Sequence, residues 1–196
     1  MYKVYGKPVT RAFRVLWMME EIGADYELIP APSRSPEVTA VNPSGKVPVL
    51  EVEGASVSDS TAILTFLADR HGALTHPAGT IERAMQDAVT HLLLDEMDAV
   101  LWTAARHSFV LPQERRTPEV KESLKWEFER NLTRLAERID GPYLCGDQMT
   151  IADIICVHCL DWAVGAKFPF ENQTLAEYAK PIRARAAFQR VRAMAS

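Results

Sequence analysis

Apolar residues change their spacing partway along this chain, and that change limits the folds open to it. Over residues 1–71 they recur sometimes at every second position and sometimes at helical spacing, whereas residues 79–196 read almost entirely at the helical period. Such a chain folds as an α/β part followed by an all-helical part. Tyr2 to Tyr5 predicts a short strand broken by Gly6-Lys7-Pro8, and Ala12, Val15, Leu16, Met19 and Ile22 predict an amphipathic helix that Gly23 ends. Tyr26 to Ile29 predicts a second strand, parallel to the first through a right-handed crossover. A weak helix around Pro36 to Val41 follows, then extended runs over Val47 to Val52 and Ala55 to Val57 joined at Glu53-Gly54. A third helix opens at Asp59-Ser60 and carries Ala62, Ile63, Phe66 and Leu67. The order βαβ-α-ββα predicts a four-stranded mixed sheet with helices on its faces, a thioredoxin-like arrangement over residues 1–72.

Residues 73–79, with Pro77, read as a linker, and residues 80–196 as an all-helical domain. A long helix is expected from about Thr80 to His107, stopping before Pro112, and a second from about Pro118 to Ile139 with Leu124, Phe128, Leu132 and Leu135 on its stripe. Thr150-Ile151-Ala152-Asp153 reads as a capping box, with Asp in place of Glu. The helix it opens is apolar nearly all round, which marks it as the helix that others pack around. Shorter, more polar helices are expected near Leu175 to Lys180 and Ile182 to Met194.

Composition excludes several classes. With 47% hydrophobic and 24% charged residues the chain is neither disordered nor collagenous, and 196 residues can bury a core without disulfides. A net charge of −4 with no dense Lys/Arg block argues against nucleic acid as a partner. The apolar run Val15 to Met19 is far too short for a bilayer, and the first residues lack a signal peptide's apolar stretch, so the expectation is a cytoplasmic protein without membrane attachment. Three cysteines, Cys145, Cys156 and Cys159, suit free thiols in a reducing compartment; the Cys-x-x-Cys lies inside the apolar helix, where thiols are buried and inert. His91, Asp95 and Asp98 share a helix face, but no further ligand motif accompanies them, so that face reads as solvated and no metal is expected.

Three spots carry possible chemistry. Pro48 falls where a strand ladder should continue, so it marks an edge, a bulge or a cis bond that turns the backbone of Val47 outward to pair with an extended peptide, or else it simply starts the strand. Thr10 lies where the first helix begins: its hydroxyl is either an N-cap or a donor that lowers a thiol's pKa. Arg11 and Arg14 beside it read as solvated charges. Asp59-Ser60 either caps the third helix or grips an α-amino acid head group, Ser60 taking the carboxylate and Asp59 the ammonium.

The segments Tyr5-Gly6-Lys7-Pro8, Arg14-Val15-Leu16-Trp17, Asn42-Pro43-Ser44-Gly45-Lys46-Val47-Pro48-Val49-Leu50, Asp59-Ser60-Thr61-Ala62-Ile63 and Tyr143-Leu144-Cys145-Gly146-Asp147 through Thr150-Ile151-Ala152-Asp153 resemble the cytosolic glutathione transferases over nearly the whole chain. The resemblance implies a glutathione-binding thioredoxin-like domain, an all-helical domain lining the pocket for a small hydrophobic electrophile, a homodimer and a role in detoxification. It implies that the Val47 backbone pairs with the cysteinyl part of glutathione beside a cis Pro48, that Asp59 and Ser60 hold the γ-glutamyl end, and that Lys46 reaches the glycyl carboxylate. Thr10 stands where many members have the thiolate-stabilising Ser; Tyr5 is the competing donor, with a core aromatic as its plain alternative. Trp102 and His107 are candidates for the electrophile pocket, with core packing as the alternative. No cysteine lies in residues 1–71, which disfavours thiol–disulfide exchange and requires that the thiol come from glutathione. The function expected is conjugation of glutathione to electrophiles; the alternatives are a glutathione-dependent isomerase or peroxidase, or a non-catalytic binding scaffold.

Overall fold

Strand β1 (Tyr2–Tyr5) pairs on both sides, in parallel with β2 (Tyr26–Ile29) and antiparallel with β3 (Val49–Val52), which pairs antiparallel with β4 (Ala55–Ser58). The computed structural model describes residues 1–195, and its sheet has the order β2-β1-β3-β4. This is the mixed four-stranded sheet expected from the pattern. In register, Val4 lies between Leu28 and Leu50, whereas Lys3 lies between Glu27 and Glu51 with its ammonium 4.0 and 3.8 Å from their carboxylates. Alternation therefore gives one face an apolar row and the other a charged one, which fixes the register.

Helix α1 (Ala12–Ile22) connects β1 to β2, the short α2 (Pro36–Val41) packs against β3, and α3 (Ser60–His71) follows β4 and packs on α1. Residues Val15, Leu16, Trp17, Met18 and Met19 are each completely buried. A helix laid on a sheet keeps one side in water; α1 does not, for a reason that lies near the other end of the chain.

The helical unit consists of α4 (Ile81–Leu93), α5 (Ala99–Ala105), α6 (Val120–Ala136), α7 (Ile151–Gly165) and most of α8 (Gln173–Arg183). The long helix expected over residues 80–107 is continuous but widens into π turns at Leu94–Asp98 and Arg106–Val110. A π turn holds an extra residue and disturbs the regular carbonyl pairing. Asn131 on α6, 3% exposed, donates to the Glu96 carbonyl at 2.9 Å in the first turn. Past the second, the Arg116 guanidinium donates to the carbonyls of Leu111, Ser108 and Phe109 at 2.7, 3.1 and 3.1 Å. Asp98 in the first turn is buried, so the His91, Asp95 and Asp98 face is not wholly solvated as its spacing suggested.

Helix α7 is the buried helix its composition predicts, and Cys156 and Cys159 are completely buried on it. Its capping box forms: Asp153 accepts from the Thr150 N–H at 2.7 Å and hydroxyl at 3.2 Å, and also from the Leu144 N–H at 2.9 Å and the Tyr178 hydroxyl at 2.7 Å. Burial raises the Asp153 pKa against the pull of those four donors. One carboxylate thereby joins the helix start, the loop before it and α8. Among the described residues no helix is long and apolar enough to cross a membrane, and no cluster of three or more His, Cys, Asp or Glu could hold a metal ion.

From Ile182 onward the chain belongs to the first unit, which comprises Met1–Ala78 and this returning segment; the second unit is Gly79–Pro181. The structure thus differs from the expectation of one helical domain over residues 80–196. Helix α9 (Ala186–Met194) packs on α1, and the Phe188 ring meets Phe13 and Trp17 edge-on with centroids 5.3 and 4.9 Å apart. Arg185 gives Glu21 a bidentate pair at 2.7 and 2.6 Å, and the Trp17 indole N–H donates to the same carboxylate at 2.9 Å. Glu20 holds Arg190 and accepts from the Tyr26 hydroxyl.

Removing the Phe188 ring, as in Phe188→Ala, should cost about 3–5 kcal/mol of unfolding free energy, read from the urea midpoint. Burial pushes the Glu21 pKa up, but the hydrogen bonds from Arg185 and Trp17 and the charges of Arg185 and Arg190 outweigh it and leave the pKa lowered. A lowered folded-state pKa contributes stability above the unfolded-state value, which is lost as pH falls through the folded one. The Tm difference between the protein and Glu21→Gln should therefore be open at about pH 7 and close below about pH 4.

Candidate functional site

The register brings three segments to one end of the sheet. Tyr5 is opposite Val49, and Val49 is opposite Ser58. Beyond these partners the chain continues as Gly6 after β1, as Val47-Pro48 before β3, and as Asp59-Ser60 after β4. The expected residues Val47, Pro48, Asp59 and Ser60 are thus neighbours in the fold although they come from separate stretches of sequence.

The Val47-Pro48 peptide bond is cis, and strand β3 starts two residues later than the extended run expected from Val47, at Val49. Neither the N–H nor the C=O of Val47 has a hydrogen-bond partner among the described residues. A free donor and acceptor on one extended residue can pair with an added peptide strand. The loop before it is held by Asn42, whose side chain accepts from the Ser44 N–H and hydroxyl at 3.2 and 2.9 Å and donates to the Lys46 carbonyl at 2.9 Å. Lys46 is exposed, and its ammonium has no partner among the described residues. A second exposed cation, Arg34, lies against the same loop, its N–H donating to the Gly45 carbonyl at 2.8 Å. Gly45 has φ +68°, and a Cβ there would stand 3.0 Å from Arg34 Cγ, so only glycine lets the two loops approach. Arg34 escaped the sequence reading because the contact joins two loops with no periodicity to reveal it.

Asp59 caps α3 from an unusual backbone position, φ +75°, with Oδ1 accepting from the Thr61 and Ala62 N–H groups at 2.9 and 3.1 Å. Its Oδ2 and the Ser60 N–H have no partner among the described residues. Both the capping reading and the functional one are therefore open to this carboxylate, since its two oxygens face different duties. The free N–H at the positive end of a helix favours a carboxylate, and the free Oδ2 favours an ammonium.

Thr10 sits in the turn before α1, half-buried, with its hydroxyl donating to the Lys7 carbonyl at 2.7 Å and accepting from the Ala12 N–H at 3.2 Å. Tyr5 is 7% exposed, and its hydroxyl donates to Glu51 at 3.0 Å. Burial first, then the hydrogen bond and charge of Glu51, raise its pKa, so its phenol proton is held by the sheet's charged row. Arg14 corrects an expectation: it is completely buried, not solvated, and its Nη1 lies 3.4 Å from Ser60 Oγ. It spans from α1 to α3, two helices packed together, and so has no route to water.

In the helical unit, Trp102 on α5 is partly exposed, and the His107 ring accepts from the Thr117 N–H at 3.0 Å through Nδ1. These two residues and those at the sheet end belong to different units.

A family model described as glutathione S-transferase, N-terminal domain, matches residues 10–70, and one described as glutathione S-transferase, C-terminal domain, matches residues 96–179. The chain is similar to glutathione S-transferase 4 of Zea mays, 34% identical over 175 residues, which span 81% of this chain and 77% of that one. Its fold matches a glutathione transferase from Methylococcus capsulatus with TM-score 0.87 at 24% identity, covering 99% of this chain and 98% of that one. It also matches the glutathione transferase URE2P6 from Phanerochaete chrysosporium, solved in complex with oxidized glutathione, with TM-score 0.83 at 25% identity over 100% and 97% of the two chains.

Gly6 is what lets the segments at the sheet end meet. At φ +134°, a Cβ on it would stand 2.9 Å from Ala12 Cβ and 3.1 Å from Val47 Cβ. Gly54, at φ +79°, would meet nothing within 4 Å. Gly6→Ala should therefore lower unfolding stability by about 2–4 kcal/mol, against about 1 kcal/mol for Gly54→Ala, as read from denaturant midpoints.

Proposed function

The chain belongs to the glutathione S-transferase family, and from that premise we propose that its first unit binds glutathione across the end of the sheet and delivers the thiolate to a small hydrophobic electrophile. The observation that carries this reading is the register that aligns Tyr5, Val49 and Ser58, and with them two sets of unpaired backbone groups, at Val47 and at Ser60. An unpaired N–H and C=O on one residue, with an unpaired N–H and carboxylate oxygen at a nearby helix start, are the groups that a short peptide bearing an amino acid head group would need.

In this reading the Val47 N–H and C=O pair with the cysteinyl backbone. The Ser60 N–H and hydroxyl take the γ-glutamyl carboxylate, and Asp59 Oδ2 takes its ammonium. Lys46 and Arg34 supply positive charge for the glycyl carboxylate. Pro48 ends the ladder beside Val47. Trp102 and His107 are the candidates for contacts to the electrophile.

The chemistry needs a thiolate at neutral pH. Thr10 stabilises it by turning its hydroxyl from the Lys7 carbonyl to the sulfur as the thiol's proton passes to water, and a hydrogen bond to an anion is roughly twice as strong as one to a neutral acceptor. The positive end of α1 acts in the same direction. The thiolate attacks the electrophilic carbon, forms the C–S bond and expels the leaving group with its electron pair. Tyr5 is second to Thr10 as donor because its proton is engaged by Glu51.

One observation favours a second reading, a protein that holds glutathione without activating it: the Thr10 hydroxyl already has a short, well-formed bond to the Lys7 carbonyl at 2.7 Å. An isomerase or peroxidase would use the same thiolate on another acceptor.

Ultraviolet titration of bound glutathione across pH separates these readings. Thiolate absorbance should appear well below a free thiol's pKa of about 8.5. Thr10→Ala should raise the midpoint by about 1–2 units and lower kcat on an aryl halide about ten- to a hundredfold at pH 7, with little change in glutathione affinity. Thr10→Ser should keep both, and Tyr5→Phe should stay within about twofold. A midpoint in Thr10→Ala equal to that of the unchanged protein would remove Thr10 from the role.

A further inference from the structure

Helix α1 buries a full charge. Arg14 is 0% exposed, and an arginine stays protonated at any pH a protein survives. Its Nη1 donates across to Ser60 Oγ at 3.4 Å, and Ser60, 3% exposed, is the first residue of α3. That distance is long for such a bond, so the guanidinium acts on Ser60 through its charge as much as through the hydrogen bond.

The consequence lies in the hydroxyl's single proton. A serine oxygen has one donor and two acceptor sites. With Arg14 filling an acceptor site, the proton is directed away from the guanidinium, and the nearby positive charge makes it a stronger donor. The same residue's N–H is free, and the Asp59 side chain, which caps the next two N–H groups, leaves it so. We infer that Arg14 is a positioning residue for carboxylate recognition at the start of α3: from behind, it turns the Ser60 hydroxyl outward as a donor and adds a fixed positive charge beneath the pair of Ser60 donors. Arg14 touches no ligand itself, being completely buried. The inference rests on the glutathione reading, in which the carboxylate is that of the γ-glutamyl group.

A role confined to tying α1 to α3 would weaken every ligand alike, whereas a role in carboxylate recognition weakens only ligands that carry the carboxylate. The test is calorimetric titration with two tripeptides, glutathione and 4-aminobutanoyl-cysteinylglycine, which lacks only the γ-glutamyl carboxylate. The unchanged protein should prefer glutathione. Arg14→Met should lose about ten- to a hundredfold of glutathione affinity and about twofold or less for the analogue, so that the preference collapses. In a Ser60→Ala background the same substitution should add little, because the group it acts through is gone. Arg14→Gln, which keeps a donor and drops the charge, should also reduce the preference and carries the test if the methionine variant does not fold. Equal losses for the two tripeptides, or a preference unchanged by both variants, would overturn the role of Arg14 and leave glutathione binding standing. Failure of the unchanged protein to bind either tripeptide would overturn the glutathione reading and this inference with it.

Discussion

Helix α1 has no side in water over Val15 to Met19, and the first unit is organised around that fact. The sheet, α3 and α9 all pack against it. Each covers a different part of a surface that one partner could not bury, and apolar burial at ~25 cal/mol per Å² makes the loss of any one expensive. Burial on all sides also brings in Arg14, a charge tolerated only because polar groups such as the Ser60 hydroxyl reach it. The packing that makes the helix stable therefore also joins its start to the start of α3.

The site at the sheet end is built from what regular structure leaves over. Strand β1 ends at Gly6, β3 begins at Val49, and α3 starts with donors that no preceding turn can satisfy. Val47 and Ser60 hold backbone groups that a ladder or a helix interior would have consumed. Loops fixed by Asn42 and by the close approach of Gly45 to Arg34 keep those groups in place. Rigid elements set the positions, and the chain's interruptions leave the unpaired groups.

Much of this was legible in the residues, and the failures share a cause. Alternation in β1 and β3, helical spacing in α1 and α7, and the Thr150 to Asp153 box are local signals, and each element formed within its pattern, β3 without the Val47-Pro48 pair that opened its run. Pro48 marked the end of a ladder because a missing N–H is a local fact. The destination of α9 was not legible: amphipathic spacing says that a face is buried, not against what, and its partners Phe13, Trp17 and Glu21 stand far away in sequence. The unbroken apolar run Val15 to Met19 was the available hint, since a helix facing only a sheet does not need it. Arg14 was misjudged for the same reason, because whether an arginine among apolar residues meets water depends on what covers the helix. The π turns escaped because one added residue is lost within the tolerance of a 3.6-residue period. The direction of the Thr10 hydroxyl, toward Lys7, is a matter of rotamer and turn geometry that residue identity does not contain.

The return of the chain to α1 bears on how the protein is made. Synthesis proceeds from the first residue, and domains complete early in the chain commonly fold as they emerge. Here the sheet, α1 and α3 are all made before residue 79, but the Trp17 indole and the Glu21 carboxylate lack Phe188 and Arg185 until the whole intervening unit has been added. Residues 182–195 thus complete a unit whose other parts are made before residue 79, so its final packing waits on the translation of the whole helical unit between them.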